Sequence, residues 1–228
     1  MYNIPKHIGI IMDGNRRYAK EHTMQAWKGH EAGARKLEDL FEWCKQFGVE
    51  ELTLYAFSIE NFKRTKQEVD YLMRLFKQEF ERIYAKDEID EKIKFIGRLE
   101  MFPTNVYDSM KKLMDKTQQN NFPVNFAMAY DGRAEIVDAV KKIAELVKKG
   151  KILPETIDEK TIEDNLYLQS KPDLIIRTSG EQRISGFLLW QASYAEFYFS
   201  KKMWPEFGIN DLANAIKEYT DRKRRFGK

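Results

Sequence analysis

The chain is poor in the residues that build several common kinds of site. It has one cysteine, Cys44, in 228 residues, which excludes an internal disulfide framework and a cysteine-rich zinc site. Three histidines, His7, His22 and His30, are too few for a histidine-rich metal cage. Six prolines and twelve glycines do not make a collagen-like or linker-dominated chain. No apolar run approaches the roughly 20 residues of a membrane span, and the stretch before His7 lacks the apolar core of a secretory signal. There is no GxGxxG, Walker A, GxSxG or HExxH pattern, which removes the commonest nucleotide, hydrolase and zinc-protease readings. An aspartate-rich DDxxD motif is also absent. Charge is nearly balanced: 39 Lys and Arg against 36 Asp and Glu leave +3. That is too little for a general nucleic-acid binder, and no helix-turn-helix or RNP signature accompanies it.

What is present suits a soluble protein of a reducing compartment, with a cytoplasmic location expected. Hydrophobic residues make up 43% and charged residues 33%, and the mean hydropathy is −0.62. One domain over residues 1–228 is expected. There is no internal repeat, low-complexity stretch or linker.

Six short apolar runs read as strands: His7–Met12, Leu52–Phe57, Ile93–Ile96, Val124–Tyr130, Leu174–Ile176 and Tyr194–Phe199. Near-continuous apolar runs mark strands covered on both faces. Between them lie amphipathic patterns. Ala34, Leu37, Leu40, Phe41 and Cys44 predict a helix stopped at Gly48. Val69, Leu72, Met73, Phe76, Phe80 and Ile83 form a long stripe, and Ile136 to Val147 another, closed by Gly150. A last helix is predicted from about Asn210, read as its N-cap. Strand–helix alternation gives an α/β domain with a mainly parallel sheet of about six strands surrounded by helices.

Ligands of open α/β sheets collect beyond the carboxyl ends of strands. After the first strand come Asp13-Gly14-Asn15-Arg16-Arg17. A helix start there, with two arginines, suits a phosphate. Asp13 beside a diphosphate calls for a cation between them, and Mg²⁺ binds through one or two carboxylates plus substrate phosphates. The competing reading is a βα turn in which Asp13 caps the helix. Ser58 to Arg64 is either a polar loop over a site or a surface connection. Arg177 to Gly186 carries two arginines and two serines, which suits a second anion. Glu196, in an apolar strand, is either paired in a salt bridge or bound to metal. Asp87 to Glu91, between Lys86 and Lys92, reads as a solvated turn. The basic stretch Arg222 to Lys228 reads as solvated charge.

Ordered blocks along nearly the whole chain carry a resemblance. They are HIGIIMDGNRRYAK from His7, GHEAGA from Gly29, LYAFSIENFKR from Leu54 and AYDGRAEI from Ala129. DLIIRTSGEQRISGFLLWQ from Asp173, YAEFYF from Tyr194, MWPEF from Met203 and RRFG from Arg224 complete the set. The chain resembles the cis-prenyltransferases, the undecaprenyl and dehydrodolichyl diphosphate synthases. The forms Asn15-Arg16-Arg17-Tyr18 and Ser58 to Arg64 are closer to the dehydrodolichyl branch. Arg225-Phe226-Gly227 is similar to the terminus of self-sufficient homodimeric members, so the resemblance implies a homodimer of archaeal type.

The resemblance implies roles residue by residue. Asp13 would handle Mg²⁺ and the diphosphates, with Glu196 as a second carboxylate near the metal. Gly14, Asn15, Arg16 and Arg17 would cradle the allylic diphosphate, with His30 near the leaving group. Ser58, Asn61, Phe62 and Arg64 match a flexible loop, Asn61 being placed to help remove the proton after condensation. Glu68 matches a loop-closing acid. Arg177, Arg183 and Ser185 would hold isopentenyl diphosphate, completed by Arg225 and Gly227 of a second copy. The implied reaction is head-to-tail cis condensation of isopentenyl diphosphate onto an allylic primer, farnesyl or geranylgeranyl diphosphate. The product would be a long chain for a glycosyl-carrier lipid, growing into an apolar tunnel for which Val69, Leu72, Met73 and Phe76 are the expected walls. Peripheral contact with a membrane through that lipid is implied, and no nucleic acid. The alternatives are a short-chain or non-head-to-tail synthase, or one subunit of a heteromeric enzyme.

Three positions depart from the family pattern. Arg16 stands where bacterial members usually carry Gly. Ala26 stands where many members carry Arg, with Lys28 close by. Asp131 stands where Gly is frequent. These departures bear on primer preference and diphosphate affinity rather than on reaction class.

Overall fold

The apolar runs form six parallel strands of one sheet in the computed structural model, which describes residues 4–222. They are β1 (His7–Ile11), β2 (Glu51–Ser58), β3 (Glu91–Ile96), β4 (Phe122–Tyr130), β5 (Leu174–Arg177) and β6 (Glu196–Phe199). Their order across the sheet is β3-β4-β2-β1-β5-β6. β1 and β5 are wholly buried because they lie inside the sheet, whereas the edge strand β6 is only half-buried. Side chains alternate with period two. Ile8 and Ile10 enter the larger core, while Ile11 and Ile175 enter a second core with Tyr130, Phe187 and Leu188.

Eight helices are described: α1 (Asn15–Glu21), α2 (Ala26–Arg35), α3 (Leu37–Gln46), α4 (Lys66–Tyr84), α5 (Thr104–Thr117), α6 (Gly132–Lys148), α7 (Glu159–Glu163) and α8 (Ile209–Asp221). The larger core packs Leu40, Phe41 and Cys44 of α3, Leu72 and Phe80 of α4, Met110 and Leu113 of α5, and Leu212 and Ile216 of α8 beneath the sheet. Cys44 is fully buried, and burial pushes its thiol pKa up, so it is an inert core residue. Among the described residues no helix is long and apolar enough to cross a membrane.

The expected parallel α/β architecture is the one found. Three details differ. The helix expected through Ala34 and Cys44 is broken at Lys36 into α2 and α3. α2 must lay its glycines on α1, whereas α3 turns Leu40, Phe41 and Cys44 to the sheet. The sixth strand starts at Glu196 rather than Tyr194, because Ala195 N–H closes a turn onto the Ala192 carbonyl at 3.0 Å. α8 is capped by Gly208 rather than Asn210, and the Asp211 carboxylate accepts from the Gly208 N–H at 2.9 Å. The acidic stretch leading into β3 is a surface turn, and its Asp90, with Glu91 at the start of β3, holds Lys45.

Candidate active site

The sheet reverses its winding at β1. β2 lies on one side of β1 and β5 on the other, so the crevice beyond their carboxyl ends is a topological switch point. Asp13 follows β1 there, and Arg177 ends β5 in register with Ile11. Arg177 Nη2 donates to Asp13 Oδ2 at 2.8 Å. Its Nη1 donates to Ser185 Oγ at 2.8 Å and to the Arg183 carbonyl. Arg177 is 5% exposed, and its buried Nε–H has no partner. A buried cation in this setting depends on its carboxylate.

Asp13 is held on both its backbone and its side chain. Its carbonyl accepts from Trp204 N–H at 2.9 Å and from Thr178 Oγ1 at 2.6 Å. Its Oδ1 accepts from the Gly14 N–H at 2.7 Å. Gly14 begins α1 at φ 102, where an L side chain is strained, and a Cβ there would lie 2.9 Å from those of Met203 and Ser179. Arg17, one turn into α1, lies 3.6 Å from Asp13 Oδ1. It donates to the Ser179 carbonyl at 3.1 Å and to Ser179 Oγ, and pairs with Glu181 at 3.2 Å.

The GHEAGA block is a packing device as well as a carrier of His30. A Cβ on Gly29 would sit 1.9 Å from the Asn15 carbonyl oxygen, and one on Gly33 2.4 Å from Asn15 Oδ1. The two glycines let α2 press against the start of α1. His30 is thereby half-buried beside Arg16 and Arg64. Burial first, then those two cations, lower its pKa to about 4, so the ring is neutral at pH 7. Its buried Nε2 has no partner.

The Ser58–Arg64 stretch is a 3₁₀ turn over Ile59–Lys63. The Ser58 N–H donates to Asn61 Oδ1 at 3.0 Å, which fixes the turn. Glu68, on the first turn of α4, is 7% exposed and takes Arg64 at 3.0 Å and Arg16 at 3.7 Å. One carboxylate thus gathers two arginines that would otherwise repel. The segment after β5 is bent: Ser179, Gly180, Ser185, Gly186 and Leu188 all have positive φ. At Ser179, Ser185 and Leu188, unlike the two glycines, such backbone costs energy, and it clusters at sites.

These groups surround one end of a cavity of about 770 Å³. Asp13, Asn15, His30, Ser58, Asn61, Arg64, Arg177 and Ser185 line it, with Asp131, whose Oδ1 also caps α6 by accepting from Arg133 and Ala134 N–H. The walls beyond are apolar: Phe41, Leu72, Phe76, Phe80, Ile83, Ile93, Phe126 and Met128. Gly14, Arg16, Arg17 and Arg183 do not line it. Arg16 and Arg183 are exposed, and Arg183 is paired with Glu181.

Some expected residues stand elsewhere. Phe62 packs edge-on against Phe57 and Phe102 instead of lining the cavity, because the 3₁₀ turn points it into that aromatic cluster. Glu196 opens β6 in register with Leu174, itself level with Ile8, whereas Asp13 lies beyond the other end of β1. Glu196 is paired with Arg222 at 2.7 Å. Within one chain Glu196 therefore stands apart from Asp13. Among the described residues no three His, Cys, Asp or Glu gather as a metal cluster. Val69 and Met73 are absent from the walls, while Leu72 and Phe76 are present. Arg225 and Gly227 lie outside the described residues. Sequence reasoning counted Ser179 towards a second anion site rather than as the anchor of Arg17, and passed over Trp204, which fixes Asp13 and donates to the Gly33 carbonyl at 3.0 Å.

Known proteins share this architecture. Residues 11–227 match the family model described as "Putative undecaprenyl diphosphate synthase". The tritrans,polycis-undecaprenyl-diphosphate synthase (geranylgeranyl-diphosphate specific) of Methanocaldococcus jannaschii is 48% identical over 99% of this chain and 84% of that protein. The protein of the same name from Pyrococcus horikoshii is 46% identical over 99% of this chain and 88% of its own length. Among solved structures, lavandulyl diphosphate synthase from Lavandula x intermedia, in complex with dimethylallyl diphosphate, has a TM-score of 0.93 at 36% identity and 99% coverage of both chains. A probable undecaprenyl diphosphate synthase from Campylobacter jejuni has a TM-score of 0.83 at 32% identity, over 99% of this chain and 100% of that one. The chain belongs to the undecaprenyl diphosphate synthase family, the cis-prenyltransferases.

Proposed function

We propose that this chain is a long-chain cis-polyprenyl diphosphate synthase that condenses isopentenyl diphosphate with geranylgeranyl diphosphate. One observation carries the reading. The Asp13–Arg177 pair, with Arg64 and His30, stands at the mouth of a deep apolar cavity. Charged diphosphate heads need the first, and an isoprenoid tail gains roughly 25 cal/mol per Å² buried in the second.

In the reaction the C–O bond of the allylic diphosphate breaks and diphosphate leaves. The terminal alkene carbon of isopentenyl diphosphate bonds to the allylic carbon. A proton then leaves the carbon adjacent to the one bearing the diphosphate, restoring a double bond. Arg177, with Ser185, binds one diphosphate, and Arg17 and Arg64 bind the other. Arg64 leaves Glu68 as the phosphate arrives. Neutral His30 offers a polar atom to the leaving group without adding charge. Asn61 orients the isopentenyl unit for proton loss. The donor set suits Mg²⁺: Asp13, a single hard carboxylate, part-exposed beside cationic phosphate ligands, would hold the ion together with the substrate diphosphates. Bound there, Mg²⁺ would neutralise charge on the departing diphosphate. A homodimer in which a second copy contributes Arg225 and Gly227 belongs to the same reading and is supported by the resemblance alone. So do a cytoplasmic setting and peripheral membrane contact through the product.

The likeness to lavandulyl diphosphate synthase favours a second reading, a short irregular product. The depth of the cavity along α4 speaks against it, since a short tail leaves most of that wall uncovered. Incubating the purified chain alone with isopentenyl diphosphate, Mg²⁺ and each primer in turn, then weighing the products, separates the readings. The proposal expects a ladder of longer diphosphates from geranylgeranyl diphosphate. A single short product, or none without a partner protein, contradicts it.

A further inference from the structure

Ser179 stands in a conformation that its residue type disfavours. Its φ is 76, in the left-handed region, and the residue is buried. The next residue, Gly180, also has positive φ, and open space lies where its Cβ would be. The turn thus takes glycine where no side chain has a contact to make, and carries strain where one does. Backbone bonds hold the strained residue in place. The Ser179 N–H donates to the Lys202 carbonyl at 2.6 Å and the Gly180 N–H to the Ser200 carbonyl at 2.8 Å, which ties the turn to the segment after β6. On its other side the serine Cβ lies against Gly14, close enough that a Cβ there would be 2.9 Å away. The position therefore presents a small side chain at the very start of α1.

That side chain meets Arg17. Ser179 accepts from both Nη groups of the guanidinium, Nη1 on its carbonyl at 3.1 Å and Nη2 on its Oγ. The other partners of Arg17 among the described residues are carboxylates: Glu181 at 3.2 Å, which also takes Arg183, and Asp13 at 3.6 Å. A carboxylate holds an arginine by cancelling its charge, and so competes with a phosphate for the same N–H groups. A serine hydroxyl holds it by geometry and leaves the charge to the ligand. We propose that Ser179 is a positioning residue for the allylic primer, a neutral seat that fixes Arg17 at the start of α1 with its charge free for a diphosphate. The inference rests on the synthase reading and adds the residue that presents one of the primer's two arginines. Without the hydroxyl, Arg17 shifts towards Glu181 and Asp13, and the primer must displace a carboxylate to reach it. The other diphosphate site, built on Arg177 and Ser185, does not use this contact.

The test compares KM for geranylgeranyl diphosphate and for isopentenyl diphosphate in the full chain carrying Ser179→Ala, Ser179→Gly, Arg17→Ala, or Arg17→Ala with Ser179→Ala. Each serine variant is expected to raise KM for the primer at least about fivefold, the scale of one hydrogen bond to a charged group, with KM for isopentenyl diphosphate unchanged. Ser179→Gly, unstrained at this φ, is expected to melt no lower than the unaltered chain. In the Arg17→Ala background, removal of the hydroxyl is expected to change the primer KM no further, because the contact it served is already gone. An unchanged primer KM, equal rises in both constants, or a loss that adds to that of Arg17→Ala overturns the inference while leaving the synthase reading standing. An unaltered chain that makes no polyprenyl product overturns the synthase reading and this inference with it.

Discussion

Arg177 and Asp13 meet at 2.8 Å across the switch point of the sheet, one ending β5 and the other following β1. The guanidinium also reaches Ser185 Oγ and the Arg183 carbonyl, so three partners are held by one planar group. An ammonium cannot span them together. Arg177→Lys is therefore expected to raise KM for isopentenyl diphosphate at least about tenfold, which is about 1.4 kcal/mol of binding. Steady-state kinetics check this, and an unchanged KM contradicts it.

His30 gives the protein a defined acid sensitivity. Its folded pKa of about 4 lies below the usual histidine value of 6.5. Between those values the unfolded chain binds the extra proton, so stability falls as pH drops from about 6.5 toward 4. The stability at stake across that window is about 3 kcal/mol at most. His30→Gln is expected to flatten the thermal midpoint against pH in that window. His7, also lowered by burial, is present in both proteins, so the difference isolates His30. Parallel curves contradict the assignment.

Glu135 is a buried hub behind the bent segment after β5. It is 1% exposed and its pKa is raised by burial. It accepts from Tyr130 OH, from Gln191 Nε2 at 3.0 Å, and from the N–H groups of Tyr167 and Leu168. Glu135→Leu strands four donors, each costing about 1–3 kcal/mol if it stays buried and unpaired. A loss of about 3 kcal/mol or more in denaturant unfolding is expected, with a smaller loss for Glu135→Gln. A loss below 1 kcal/mol for the leucine variant contradicts the hub.

Gly29→Ala tests the contact between α1 and α2. Its Cβ would fall 1.9 Å from the Asn15 carbonyl, a backbone atom that cannot step aside. About 1–3 kcal/mol of destabilisation is expected, with a larger proportional loss of turnover, because α1 carries Arg16 and Arg17. Thermal melts and initial rates measured together decide it. Turnover that falls no more than stability contradicts a positioning role.

Much of this was legible in the residues, and the limits have physical causes. Continuous apolar runs such as Leu174–Ile176 mark strands because both faces are covered, and strand-tip polar groups mark the crevice. Glu196 looked like a site residue because a carboxylate in an apolar strand needs a partner. Which partner, Arg222 or a metal, depends on strand order and register, which periodicity does not encode. Helical spacing put Val69 and Met73 with Leu72 and Phe76, yet the stripe is wider than the part facing the cavity. Phe62 shares its block with Asn61, but the turn sends the two side chains different ways. The α2–α3 break at Lys36 carries no Gly or Pro to announce it.

The most direct test is the Mg²⁺-dependent rate of the first condensation, with saturating isopentenyl and geranylgeranyl diphosphates, in the unaltered chain and in Asp13→Ala. The account predicts a rate abolished by chelator in the unaltered chain. It predicts a loss on the order of 10²–10³-fold in the variant, the scale on which one preorganised electrostatic group acts, with the far-ultraviolet circular dichroism spectrum unchanged. A variant that keeps its rate within a few-fold, still dependent on Mg²⁺, would contradict the placing of metal and diphosphates at the tip of β1.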